Sequence, residues 1–97
     1  MIKSEAKIVA DIVKVLAKLK KRGEPVWWVK IAGGPWQRAG LPDLCVVYRG
    51  QTLFVEVKKS PNVLTLLQIE TIRAIRHAGV AAEVVWSVAE FRRVLGV

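Results

Sequence analysis

Three side chains in the middle of the sequence have the types and spacing for phosphodiester chemistry. Asp43 follows Pro42 at the mouth of the apolar run Leu44–Tyr48, and Glu56 and Lys58 stand two apart near the end of the run Leu53–Lys58. Each run reads as a β-strand, and a tight turn at Gly50 and Gln51 is expected to join them. Side chains alternate faces along a strand, so Glu56 and Lys58 point the same way. Hairpin pairing brings Asp43 to the same end of the ladder as Glu56. Two carboxylates and an ammonium then share one patch. Hard oxygen ligands of this kind select Mg²⁺ or Mn²⁺. Such a cation polarises a phosphoryl oxygen and acidifies a bound water. A lysine beside it holds the attacking water or offsets charge on the phosphate. The backbone carbonyl of Val57 could complete the coordination, and Glu5 could join directly or through a water. Glu-x-Lys alone is weak, because surface ion pairing produces it constantly, and an aspartate after proline is a common turn residue. The ordered combination carries the reading.

The elements that must position these groups follow from periodicity. Residues 4–21 predict a helix capped by Ser4, with Ile8, Val9, Ile12, Leu16 and Leu19 on one apolar stripe. Lys3, Lys7, Lys14, Lys18 and Lys21 fall on the other side. Glu5 lies on the stripe, and two readings stand. It is an inward acid that needs a partner or a metal, or a first-turn acid that favours the helix dipole. Arg22-Gly23-Glu24-Pro25 ends the helix, and 26–32 reads as a strand. The next segment, 33–40, is a loop holding Trp36 and Arg38; Arg38 either touches a phosphate or is solvated. After the hairpin, Lys59-Ser60-Pro61-Asn62 is a breaker. Thr65 caps a helix to about His77, with Gly79 as its terminator. Gln68 is the polar member of that helix's apolar face, alongside Ile72 and Ile75, and a buried glutamine needs partners. A bond to nearby backbone is its simpler role. A strand over 80–86 completes a strand–helix–strand crossover, which places its strands parallel. Ser87-Val88-Ala89-Glu90 opens a last helix as a capping box. The expected fold is α/β, in the order α-β-β-β-α-β-α, with a mixed central sheet flanked by helices.

Composition bounds the rest. With 97 residues the chain has one domain's worth of length and a modest core. Sixteen Lys and Arg against eight Asp and Glu leave it at +8, a balance that favours polyanions. No long uncharged apolar run suggests a membrane span, and the first residues do not read as a signal peptide. The single cysteine, Cys45, lies in an apolar strand and reads as a buried thiol, consistent with a reducing cytoplasm.

Gly40-Leu41-Pro42-Asp43-Leu44, then Glu56-Val57-Lys58, then Gln68 in the following helix, resemble the PD-(D/E)XK nuclease superfamily and within it the virus-type replication–repair nuclease domain, VRR-NUC. The resemblance runs from Glu5 to the last helix. It implies a restriction-endonuclease-like fold and a metal-dependent nuclease over 1–97. Asp43 and Glu56 would bind the metal, Lys58 would serve catalysis, and Glu5 and Gln68 would complete the site. Stand-alone phage and bacterial members are similar to Holliday-junction resolvases, which implies a homodimer acting on branched DNA. Arg38, Lys59 and Lys30 are the candidate DNA contacts. A nuclease for flaps, nicks or single strands, or an inert nucleic-acid-binding module, are the rivals.

Overall fold

The computed structural model describes residues 3–31 and 38–97. The elements are α1 (Glu5–Lys21), β1 (Val26–Lys30), β2 (Leu44–Tyr48), β3 (Gln51–Val57), α2 (Leu66–His77), β4 (Ala81–Val85) and α3 (Val88–Leu95). The four strands form one sheet in the order β1-β2-β3-β4. The first two pairings are antiparallel and β3 pairs with β4 in parallel through α2. This is the expected α/β order. The first strand ends at Lys30, and Ala32, Gly33, Gly34, Pro35 and Trp36, read as strand end and loop, lie outside the described residues.

The hairpin turn is Arg49-Gly50, one residue earlier than the sequence reading placed it. Both residues have positive φ, 51° and 78°. A two-residue connection with this geometry matches the right-handed twist of paired strands. Arginine is a poor residue for that conformation. Its side chain supplies the compensation: it bonds to Glu24 at 3.2 Å and lies over the Tyr48 ring at 5.0 Å, and its N–H donates to Pro25 O.

One face of the sheet and α1 make the core. Leu44, Val46 and Tyr48 of β2 and Leu53, Val55 and Val57 of β3 meet Ile8, Val9, Ile12, Leu16 and Leu19 of α1, with Phe91 of α3. Each such side chain stabilises the fold by about 1.5–3 kcal/mol relative to exposure. Ser4 caps α1 by accepting from Lys7 N–H at 3.0 Å. The lysine side of α1 is not merely solvated: Lys3 and Lys7 both bond to Asp11, at 2.7 and 2.9 Å, and hold its carboxyl down at about 2. Ile72 and Ala82 are buried outside that cluster and mark the second face, where α2 packs on β4. The β1–β2 half of this second face is more open. Trp27 is 58% exposed and Val29 41%, beside half-buried Cys45 and Val47. Cys45 is thus less buried than its strand suggested, and burial still pushes its thiol up. Trp28, by contrast, packs on the core.

Helix ends follow their sequence signals with small differences. The C-cap of α2 is Ala78, and Gly79 follows at φ 99°. Gly79 N–H reaches Arg76 O and Val80 N–H reaches Ile75 O, the paired bonds of a Schellman ending. At α3, Ser87 accepts from Glu90 N–H, but Glu90 Oε2 takes Trp86 N–H at 2.7 Å in place of the cap's own.

Gly40 is where the connection into β2 meets α2. At φ +85° a Cβ would stand 2.9 Å from the backbone and Cβ of Leu67. Gly40→Ala is therefore expected to destabilise the protein by roughly 1–3 kcal/mol. A thermal melt should show it as a fall of several degrees, and an unchanged melting temperature would contradict this packing.

Candidate active site

Strand register brings Asp43 and Glu56 together. Leu44 pairs with Val55, and Asp43 N–H donates to Val55 O at 2.9 Å, so Asp43 stands opposite Glu56 at the end of the β2–β3 ladder. The aspartate is fixed from three directions. Its own C=O accepts from Ile31 N–H at 2.9 Å, and its Oδ2 accepts from Val57 N–H at 2.7 Å. Glu56 is only 4% exposed and Lys58 only 7%. Lys58 N–H continues the ladder to Val85 O at 3.0 Å, which holds the lysine in strand-like alternation after β3.

The acids affect one another. Glu56 is pushed up to about 8, first by burial, then by a hydrogen bond to Asp43 and by the charge of Asp43. The charge of Glu5 adds to the rise, and the Lys58 ammonium opposes it. A buried carboxyl beside a second acid keeps its proton to higher pH, because ionising it there is costly. Such strongly perturbed carboxyls cluster at functional sites.

Glu5 arrives from the first turn of α1. It is half-buried and lines a cavity of about 220 Å³ with Ala6, Val9, Lys30 and Asp43. Its Oε2 accepts from Asn62 Nδ2 at 2.8 Å and from Lys59 N–H at 3.3 Å. The inward reading of Glu5 is thus the one the geometry supports. In the sequence Asn62 reads only as part of a breaker. A contact between positions 57 apart leaves no local signal. Lys30 is exposed and reaches this cavity; Lys59 is half-buried and lines a different hollow, with Lys3, Asp11 and Trp86. Arg38 is exposed and borders a separate hollow with Ala39, Leu67 and Glu70.

Gln68 has the simpler of its two expected roles. Its Oε1 accepts from Thr65 N–H at 2.9 Å while its own N–H donates to Thr65 Oγ1 at 3.2 Å, a reciprocal capping box. Among the described residues, no hydrogen bond joins it to Asp43, Glu56 or Lys58.

A larger cleft of about 680 Å³ lies at the hairpin end, lined by Tyr48, Arg49, Thr52 and Val80 among others. It holds one acid, Glu83, and no paired carboxyls, so its size does not make it the reactive centre. Among the described residues, no three His, Cys, Asp or Glu side chains stand close enough to cage a metal. Asp43 and Glu56 form a pair instead. A pair fits Mg²⁺ or Mn²⁺, which keep several waters and bind through one or two carboxylates. A cation there would also relieve the crowding that raises Glu56.

Of the comparisons with known proteins, the one with solved structures bears on the fold. No protein-family model and no curated protein matches the chain. A solved structure described as a VRR_NUC domain does, with a TM-score of 0.65 and 27% identity over 87% of this chain and 90% of that one. Fold and likeness support a nuclease domain of the PD-(D/E)XK type. Within that class the chain resembles the VRR_NUC branch, whose fold it has. Among the described residues, no helix is long and apolar enough to cross a membrane.

Proposed function

We propose that the chain is a divalent-metal-dependent, structure-specific DNA endonuclease of the cytoplasm, acting on branched DNA as a homodimeric four-way-junction resolvase. The observation that carries the proposal is the meeting of Asp43, Glu56 and Lys58 at one end of the sheet, with Glu5 lining the adjoining cavity. Asp43 and Glu56, with the Val57 carbonyl, would hold Mg²⁺ or Mn²⁺, and Glu5 would join directly or through a water. Bound there, the cation supplies Lewis-acid polarisation of the phosphoryl oxygen and a more acidic water. The Val57 N–H holds Asp43 Oδ2 and so restrains the carboxylate from rotating. Lys58, nearly buried, orients the attacking water and offsets charge building on the phosphate. Gln68 would complete the site through its side-chain amide nitrogen, since its Oε1 is held by Thr65 N–H at the start of α2.

Lys30, Lys59 and Arg38 would hold backbone phosphates, giving binding that weakens with salt and reads little sequence. The homodimer is supported by the open apolar strip around Trp27 and Val29. A twofold dimer presents two sites to the two strands of a junction. The test is a cleavage panel with Mg²⁺ or Mn²⁺: a four-way junction, a flap, a nicked duplex, linear duplex and single strand, with gel-filtration mass alongside. Junction cleavage at least about tenfold faster than linear duplex, from a protein of twice the chain mass, is expected. Faster cutting of flaps or single strands would move the substrate, and no cutting of any DNA would leave a binding module.

A further inference from the structure

We infer that Asn62 is the positioning residue of this centre: its side-chain amide sets the orientation of the Glu5 carboxylate toward the Asp43 pocket. This rests on the proposed metal-dependent reading. Glu5 sits in the first turn of a helix, on a long side chain that several rotamers would satisfy. Two donors from the segment after Lys58 fix it. Asn62 Nδ2 donates at 2.8 Å and Lys59 N–H at 3.3 Å, and both bonds fall on Oε2. Among the described residues, Oε1 accepts none, so one oxygen is anchored and the other is left for the cavity that Glu5 shares with Asp43 and Lys30.

Asn62 is built for this task and for little else. Its backbone N–H already closes the turn, donating to Lys59 O at 2.8 Å, so the turn does not need the side chain. The residue is exposed, so its amide contributes little to the core. A neutral donor is also the suitable choice. It orients the carboxylate without neutralising it, whereas a lysine at this place would compete with a cation for the same charge. The turn thereby couples the end of the catalytic strand to the start of α1 across 57 positions of sequence. Outer partners that orient a ligand are worth about 10–100-fold in metal affinity.

The experiment is a calorimetric titration of Mn²⁺ into the DNA-free full chain, for wild type, Asn62→Ala, Glu5→Ala and the double variant, with thermal melts as the fold control. Asn62→Ala is expected to weaken Mn²⁺ binding about tenfold, with a melting temperature close to wild type. Asn62→Asp, equal in shape but repelling Glu5, should weaken it more than alanine does. On the Glu5→Ala background Asn62→Ala should add nothing, because Asn62 acts through Glu5 alone. Wild-type affinity in Asn62→Ala, or an equal loss with and without Glu5, overturns the inference while leaving the nuclease reading intact. Wild-type protein that takes up no Mn²⁺ removes the metal reading itself, and the inference with it.

Discussion

Asp43→Asn should reduce DNA cleavage by about 10²–10³-fold or more while leaving the fold intact and, near pH 8, firmer than wild type. The two effects have one origin. Asparagine has the shape of aspartate, and its amide oxygen can still accept the Val57 N–H that Asp43 Oδ2 takes at 2.7 Å. Its amide nitrogen can donate to Glu56, where Asp43 offers only another acceptor. The hydrogen bond and charge that help raise Glu56 are thus removed, and the buried carboxylate becomes easier to hold. What disappears is the second negative charge of a pair that can chelate a hard cation. Lys58→Met, which keeps the apolar stem and loses the ammonium, should lose a similar factor in rate. It should not share the stabilisation, because Lys58 is the charge that opposes the rise of Glu56. Rates on a labelled junction together with melts at pH 8 check both. Full activity in Asp43→Asn would show that the reactive centre lies elsewhere, and a large loss of stability would show that the two carboxyls do not meet as described.

Most of this arrangement was legible because its signals are local and periodic. The stripe Ile8 to Leu19, the caps at Ser4, Thr65 and Ser87, and the alternation in both central strands each fix an element within a few residues of sequence. Asp43 and Glu56 could be placed together because antiparallel register follows from a short hairpin. The turn itself was displaced by one residue, since an arginine at positive φ is disfavoured and becomes tolerable only through Glu24 and Tyr48, which are not its sequence neighbours. Gln68 shows the limit of face-reading. A glutamine three residues after a threonine is a capping signal, and that local bond competes with any inward role that the helical face suggests. Asn62 was illegible for the opposite reason: its partner, Glu5, is supplied by the far end of the chain. The open strip at Trp27 was only half legible, because alternation tells which residues share a face but not whether a helix covers it.

Wild-type stability should fall as pH rises from about 4.5 to about 8 in the absence of divalent metal, by on the order of 3 kcal/mol. Glu56 titrates near 4.5 in an unfolded chain and at about 8 in the folded one. Between those values the folded protein holds a proton that the unfolded chain has released. The stabilisation this gives is complete below about 4.5 and is gone once pH passes the folded value. Asp11 cannot produce the same trend: its carboxyl is held down at about 2, so its contribution is lost only in acid, as pH falls below the ordinary range. For a domain of this size the change corresponds to roughly 10 to 20 °C in melting temperature. Glu56→Gln keeps the shape and fixes the group in its neutral state, so its melting curve should be nearly flat over that window and should exceed wild type at pH 8.5. Adding Mn²⁺ at pH 8.5 should recover wild type, since a cation that binds only the folded pair stabilises it by mass action, and should leave Glu56→Gln almost unmoved. Melts by circular dichroism across pH 5–9, with and without the ion, measure all of this. A wild-type profile flat over the same range, or a glutamine variant that follows it, would mean that Glu56 is not held protonated beside Asp43, and the case for their holding a common cation would go with it.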